Sequence, residues 1–288
     1  MKVMRQTDPM EAVGRDTPKD ARIDGMAAGR MLAALVLGVV LLGAQRGSQY
    51  RRWGIYEEEM QTPAEDPPDA WEQTEFAFGR LRFRSLQGRF YQRWGIDANR
   101  ADRLFSTALR RLTRIHVRSV EEIIDIDSDE IYNWPFLYAV SAGDMVVSDS
   151  QAARLRNYFA RGGFLMVDDF HGGPEWADFM DVVRRVLPGQ EVIELEEDSP
   201  IFHVVYDLGK RVRVPGANVV FGGQVERGGV EPHWRAVLDA KGRVQVAICF
   251  NMDLGDAWEF ADDPRYPEMY ASQAFRMGVN YILYSMTH

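Results

Sequence analysis

The stretch SDSQAARLRNYFARGGFLMVDDFHGG, residues 148–173, constrains the fold more than any other. Ser148 and Gln151 have the spacing of a capping box, in which the Ser oxygen accepts a free amide of the first turn and Gln reaches back. Ala152, Leu155, Tyr158 and Phe159 recur at three- and four-residue intervals, which predicts a helix with one apolar face. Gly162-Gly163 ends it, because glycine adopts the left-handed C-terminal conformation without steric cost. Phe164-Leu165-Met166-Val167 then reads as a strand buried on both faces. It stops at Asp168-Asp169, followed by Phe170-His171-Gly172-Gly173. A helix feeding a buried strand that ends in carboxylates and glycines predicts an open α/β sheet, whose ligands sit beyond the carboxyl ends of the strands.

The same alternation extends along the chain. Phe76, Phe78, Leu81 and Phe83 mark a first strand, and Asp97 or Asn99 can cap a helix running to Arg114. That helix is expected to turn Leu104, Phe105, Ala108, Leu109 and Leu112 inward. One strand lies within 115–126, and Phe136–Val140 is another. A helix follows Pro174 to Leu187, and Glu191–Leu195 is a further strand. Strands alternating with helices imply parallel pairing through right-handed crossovers. Trp234–Asp239 and Arg243–Asn251 flank Ala240-Lys241-Gly242 as a hairpin, expected as an antiparallel edge on the sheet. Residues 253–267 should wrap one end of the sheet, and Tyr270–Met286 closes the chain as a helix.

Charge excludes one class of partner. The 288 residues carry a formal charge of −9, and nucleic-acid binding needs a basic surface. Arg80, Arg82, Arg84, Arg89 and Arg93 alternate with apolar residues, which reads as the solvated face of a strand. A hydrophobic content of 46 % is enough for a sizeable core. Cys249 is the only cysteine, so neither an internal disulfide nor a cysteine metal cluster can form.

The N-terminal quarter is different. Residues 1–25 are polar without apolar periodicity, and read as disordered or as a mis-called start before Met26. The uncharged run Met31–Ala44 is short of the roughly 20 residues of a membrane span. Residues 26–45 therefore read as a signal peptide, with Arg30 as its basic flank and Leu42-Gly43-Ala44 as a cleavage site, or as an uncleaved N-terminal anchor helix. Either places the remainder outside the cytoplasm, periplasmic, secreted or anchored to an inner membrane. Membrane contact is confined to 26–45 if that segment is retained. Residues 46–75, with Glu57-Glu58-Glu59 and Pro63, Pro67 and Pro68, form a linker, and 76–288 is the folded domain.

Four blocks, LRNYFARGGFLMVDD, WPFLYAV, EEDSPIFHVVYDL and NMDLGDAWE, resemble the family called domain of unknown function 4159. The resemblance runs from about Phe76 to Tyr284. It implies a three-layer α/β sandwich of flavodoxin type, similar to the class I glutamine amidotransferases. In those enzymes the nucleophile stands on a strand-to-helix elbow. The matching place here, after Val167, holds Asp168 and Asp169, so the resemblance implies no glutamine hydrolysis. Cys249 lies between Ile248 and Phe250 in an apolar strand and reads as core.

Asp168, Asp169 and His171 are the densest set of chemistry-bearing side chains. One reading is a divalent-metal site, completed by His203 or Asp253 from other loops. A second is capture of a small polar ligand, with Gly172-Gly173 permitting close backbone approach. A third is structural, one Asp capping a helix and the other pairing with an arginine. Ser141 could act as a nucleophile with His171 or His203, though no nucleophile-elbow motif surrounds it. Asp253, Trp258 and Glu259 place an aromatic beside carboxylates, suited to binding a sugar or cation or to pinning the loop. The expectation is an extracytoplasmic, non-catalytic binding or scaffold module, with a small polar ligand or envelope proteins as partners. The alternative is a metal-assisted hydrolase built on Asp168, Asp169 and His171.

Overall fold

The structure, a computed structural model, describes residues 67–70, 72–86 and 93–288. The segments 1–25 and 26–45, the hydrophobic helix expected there, and Arg89 lie outside the described residues. Among those described, no helix is long and apolar enough to cross a membrane. In chain order the elements are β1 (Gly79–Arg82), β2 (Arg84–Ser85), α1 (Arg100–Leu112), β3 (Glu122–Asp125), β4 (Phe136–Val140) and β5 (Met145–Val146). Next come α2 (Asp149–Ala160), β6 (Phe164–Phe170), α3 (Gly172–Val186), β7 (Val192–Glu194) and α4 (Ala217–Gly222). The last are β8 (His233–Leu238), β9 (Val244–Phe250), α5 (Leu254–Glu259) and α6 (Glu268–Thr287).

Seven strands form one sheet in the order β3-β1-β4-β6-β9-β8-β7, and β2 pairs with β5 in a small antiparallel ribbon. From β3 to β9 all neighbours are parallel. Only β8 runs against them; β7, antiparallel to β8, returns to their direction at the edge. The chain steps outward from β1 to β3, then crosses back past β1 to β4. That reversal makes β1/β4 the topological switch point, where open α/β sheets place their ligand crevice.

Alternation along the strands builds the two faces. Phe136, Tyr138, Phe164, Met166, Ala247 and Cys249 join Phe105, Trp258, Met277 and Tyr281 in the main core. Leu137, Ala139, Leu165 and Val167 are as fully buried and point the other way, where α2 and α3 pack together. The helix-to-strand entry follows the expected chemistry. Ser148 accepts from the Gln151 amide and Gln151 reaches back to Ser148, completing the capping box. Gly162 takes φ +94°, and a Cβ on Gly163 would stand 2.3 Å from the Tyr158 ring. The Tyr158 hydroxyl donates to Phe164 O at 2.8 Å, so helix, turn and strand lock together.

Four expectations need correction. Arg80 and Arg93 are buried rather than solvated, Arg80 because β1 is an inner strand covered on both faces, and Arg93 because its turn packs against Asp169 and Glu175. Arg80 forks onto Asp102 with two 2.7 Å bonds and donates to Trp94 O and Ile96 O at 3.0 and 2.9 Å. That pairing also rotates α1: Ala101, Asp102, Phe105, Ser106 and Leu109 face inward, whereas Leu112 is exposed. The strand β7 pairs antiparallel to β8, at the end of the sheet. The hairpin is not an edge, since β9 lies between β6 and β8.

Arg80 thus holds the loop that delivers Asp97. Arg80→Met leaves Asp102 charged, buried and unpaired, a loss worth about 3–5 kcal/mol. Urea unfolding of the variant is expected to show a destabilisation of that size, and a near-neutral result would deny Arg80 its clamping role.

Candidate functional site

Strand β6 carries one extra residue against β9 between Val167 and Phe170, a bulge at Asp168-Asp169. Bulges of this kind re-aim side chains at sheet ends. Asp168 keeps the orientation of Met166 and points to the face of Tyr138 and α5. Its Oδ2 accepts the amides of Leu254 and Gly255 at 2.7 and 3.1 Å and the Tyr138 hydroxyl at 3.1 Å. It therefore caps a helix, but α5 rather than the helix that follows it in sequence. Burial, then the charge of Asp169, push the Asp168 carboxyl up to about 7, against the pull of those amides.

Asp169, at φ +50°, turns to the opposite face. Ser141 Oγ donates to its Oδ2 at 2.6 Å, and His171 Nε2 lies 3.1 Å from its Oδ1. Arg93 stands 3.9 Å away. Burial pushes Asp169 up, but the His171 bond, the charges of His171 and Arg93 and the Ser141 bond outweigh it and hold the group below the usual range. His171 Nε2 also lies 3.2 Å from Glu226 Oε2. Burial lowers the imidazole pKa, yet Asp169 and Glu226 together hold it above its ordinary value. The order is serine, carboxylate, imidazole, so Ser141 donates its hydrogen bond to Asp169 and not to His171. It lacks the arrangement of a serine nucleophile.

Three of the sequence candidates therefore meet, and the others part from them. Asp168, Asp169 and His171 cluster at the end of β6, with Asp253 in the next loop capping α5 through a 2.8 Å bond from the Asp256 amide. His203 takes its contacts from Glu197 O and Asp207, within its own turn. Trp258 is fully buried, with its ring 4.5 Å from Phe105 and 5.5 Å from Tyr138, and it pins the loop to the core. Glu259, half-buried on α5, gives its carbonyl to Arg100. Cys249 is buried in mid-strand, and burial raises its thiol far above its ordinary range.

The structure adds residues that spacing did not single out. Asp97, Asp253 and Asp256 bring one carboxylate oxygen each to within 4.8 Å of one another. Burial above all raises the three; the charge of Asp256 adds to it for Asp97 and Asp253, whereas the Asp253 and Ala217 hydrogen bonds oppose it at Asp256. Glu175 accepts the His171 amide and meets Arg93 and Arg227. Asn251, after β9, accepts the Gly172 amide at 2.9 Å and donates to Glu231 O. The DxxD spacing of Asp253 and Asp256 was a readable cap signal; Asp97 was legible only as a helix-cap candidate, and Glu226 had no signal.

Five described non-glycine residues take positive φ, namely Asp97, Ser141, Asp169, Arg227 and Asn251; Asp97 faces α5, and the other four gather at the strand ends and the start of α3. Beside them opens a cleft of about 480 Å³, lined by Gly172, Gly173, Trp176, Gly228, Gly229, Val230, Glu231, Arg235, Phe250 and Asn251. Arg235 lies over the Trp176 ring at 4.4 Å, and Trp176 packs on Phe250 at 4.8 Å.

The carboxylates set a pH dependence. A folded pKa of about 7 for Asp168, against an unfolded 3.8, gives stability fully present below pH 3.8 and lost as pH rises through 7. In chelator-treated protein, stability should fall between pH 4 and 8, at up to about 1.4 kcal/mol per pH unit for each such proton. Asp168→Asn keeps the acceptor for the α5 amides and is expected to gain stability at pH 8 and little at pH 4. Equal effects at both pH values would contradict the assignment.

No curated protein matches the chain significantly. A family model described as domain of unknown function (DUF4159) matches residues 77–286, most of the sequence, and the chain belongs to that family.

Proposed function

We propose that the chain is a non-catalytic ligand-binding module of amidotransferase-like fold, acting outside the cytoplasm behind residues 26–45 and serving an envelope partner or a small polar ligand. The seat of the ligand is the cleft at the carboxyl ends of β6 and β9. The observation that carries this reading is the left-handed backbone of Ser141, Asp169, Arg227 and Asn251 at the strand ends and helix start that border the cleft. Left-handed non-glycine residues cost of order 1–3 kcal/mol each and gather where function requires them.

The fold comparison rests on connectivity. Counted in chain order, the five parallel strands lie 2-1-3-4-5, the flavodoxin-type order. Asp169, at the bulged strand end before α3, occupies the place of an amidotransferase nucleophile, and a carboxylate already bonded to Ser141 and His171 stands there instead. The alternative, a metal-assisted hydrolase, needs Asp168, Asp169 and His171 to face one space. Asp168 and Asp169 point to opposite faces of the sheet, which supports binding over that chemistry. The export of the domain draws its support from the apolar segment alone.

The cleft joins a helix N-terminus, a guanidinium on an aromatic face and the Asn251 amide. It suits a flat polar molecule with an anionic group. A Cβ on Gly173 would meet nothing within 4 Å, so Gly173→Phe can fill the mouth without disturbing the fold. Full-length protein melted with a panel of small carboxylates, phosphates and sugar acids should show one class raising Tm, by about 2–4 °C per kcal/mol of linkage. Gly173→Phe and Arg235→Ala should abolish that rise. Turnover of the stabilising compound, or no rise with any of them, would refute the proposal.

A further inference from the structure

A second site lies on the α5 side of the sheet, separate from the cleft. Asp97 arrives from the loop between β2 and α1, and Asp253 and Asp256 from the N-cap and first turn of α5. Asp97 is 4 % exposed, and its Oδ2 has no hydrogen-bond partner. That oxygen is aimed at α5: a Cβ on Gly255, between Asp253 and Asp256, would stand 2.3 Å from it. On the other side, the Cβ position of Gly216 is 2.6 Å from Glu226 Oε1, 2.9 Å from Asp253 Oδ2 and 3.1 Å from Asp256 Oδ2. Oxygens of four carboxylates thus surround a region that two glycines keep open.

Among the described residues none of Asp97, Asp253 and Asp256 forms an ion pair. Arg80 is held by Asp102, Arg93 faces Asp169 and Glu175, and His171 lies between Asp169 and Glu226. Buried carboxylates without a partner are costly unless they are protonated or coordinate a metal. We infer that Asp97, Asp253 and Asp256 form a binding site for a hard divalent cation, with Glu226 as a fourth donor within reach. An all-oxygen set suits calcium, magnesium or manganese. Oxygens within 4.8 Å of one another can share an ion at the roughly 2.3–2.6 Å of calcium ligation. The ion ties the loop before α1 to α5, across the switch point.

The test uses the full-length chain, stripped with chelator, in titration calorimetry with CaCl2 and separately with MgCl2, alongside thermal melts. One equivalent of one of the ions is expected to bind and to raise Tm. Asp97→Asn retains a residue that tolerates positive φ, and should weaken binding at least about tenfold. Ion-free Asp97→Asn should also melt above the ion-free wild type, because one buried charge is gone. Asp256→Asn, whose amide oxygen can still accept from Ala217, serves as the second variant and should weaken binding likewise. Failure of both ions to bind stoichiometrically at millimolar concentration overturns the assignment, and so does wild-type affinity in both variants. Binding unaltered by either substitution would mean that the ion sits elsewhere.

Discussion

Two adjacent carboxylates withdrawn from water at the end of β6 set the terms for everything built around them. Consecutive strand residues point to opposite faces, so Asp168 and Asp169 must be satisfied separately. Asp168 recruits the free amides of α5, and this fixes the helix that carries Asp253, Asp256 and Trp258. Asp169 recruits Ser141, His171 and Arg93, and this fixes the loop ends of β4 and the entry to α3. The two halves of the site are therefore consequences of one dipeptide. The cost of burying it is met by a helix terminus on one face and a charged network on the other.

The strain has the same origin. A bulge that turns Asp169 to φ +50° must be held by its neighbours, and the neighbours are themselves unusual. Ser141 reaches Asp169 only from its own left-handed turn, and Asn251 reaches the Gly172 amide from another. Each distortion is stabilised by a hydrogen bond to the next. A regular sheet end would have had none of these contacts, and would have presented no cleft between Gly173 and Arg235.

What the sequence disclosed was local. The capping box at Ser148, the glycine pair and the buried run of β6 each depend on residues a few positions apart, and each is found as expected. The hairpin and the closing helix α6 were legible for the same reason. What stayed hidden depended on the order of strands. Arg80 looked solvated because alternation shows that a strand has two faces, not that both are covered. The position of β9 inside the sheet, and the place of β7 at the edge beside β8, belong to pairing between distant segments. Asp97 and Glu226 are ordinary acids in their local context, and only the fold brings them beside Asp253 and Asp256. Trp258 was readable as binding surface or as core, and its 0 % exposure, with Phe105 and Tyr138 against it, places it in the core.

The strand-end turn at Asp169 bears on function through what it presents. In a nucleophilic enzyme such a turn holds a reactive atom out towards the substrate. Here the side chain at the turn points inward and spends both oxygens on Ser141 and His171. What faces the cleft is backbone, the exposed Gly173 and the helix start behind it. A carboxylate held ionised by its neighbours makes the turn rigid, and rigidity is what a recognition surface requires of its supporting residues. The same geometry that elsewhere displays a nucleophile can thus serve to position a helix N-terminus and an arginine–tryptophan pair. On that argument the acidic dipeptide is scaffolding for the helix start and the Arg235–Trp176 pair that border the cleft.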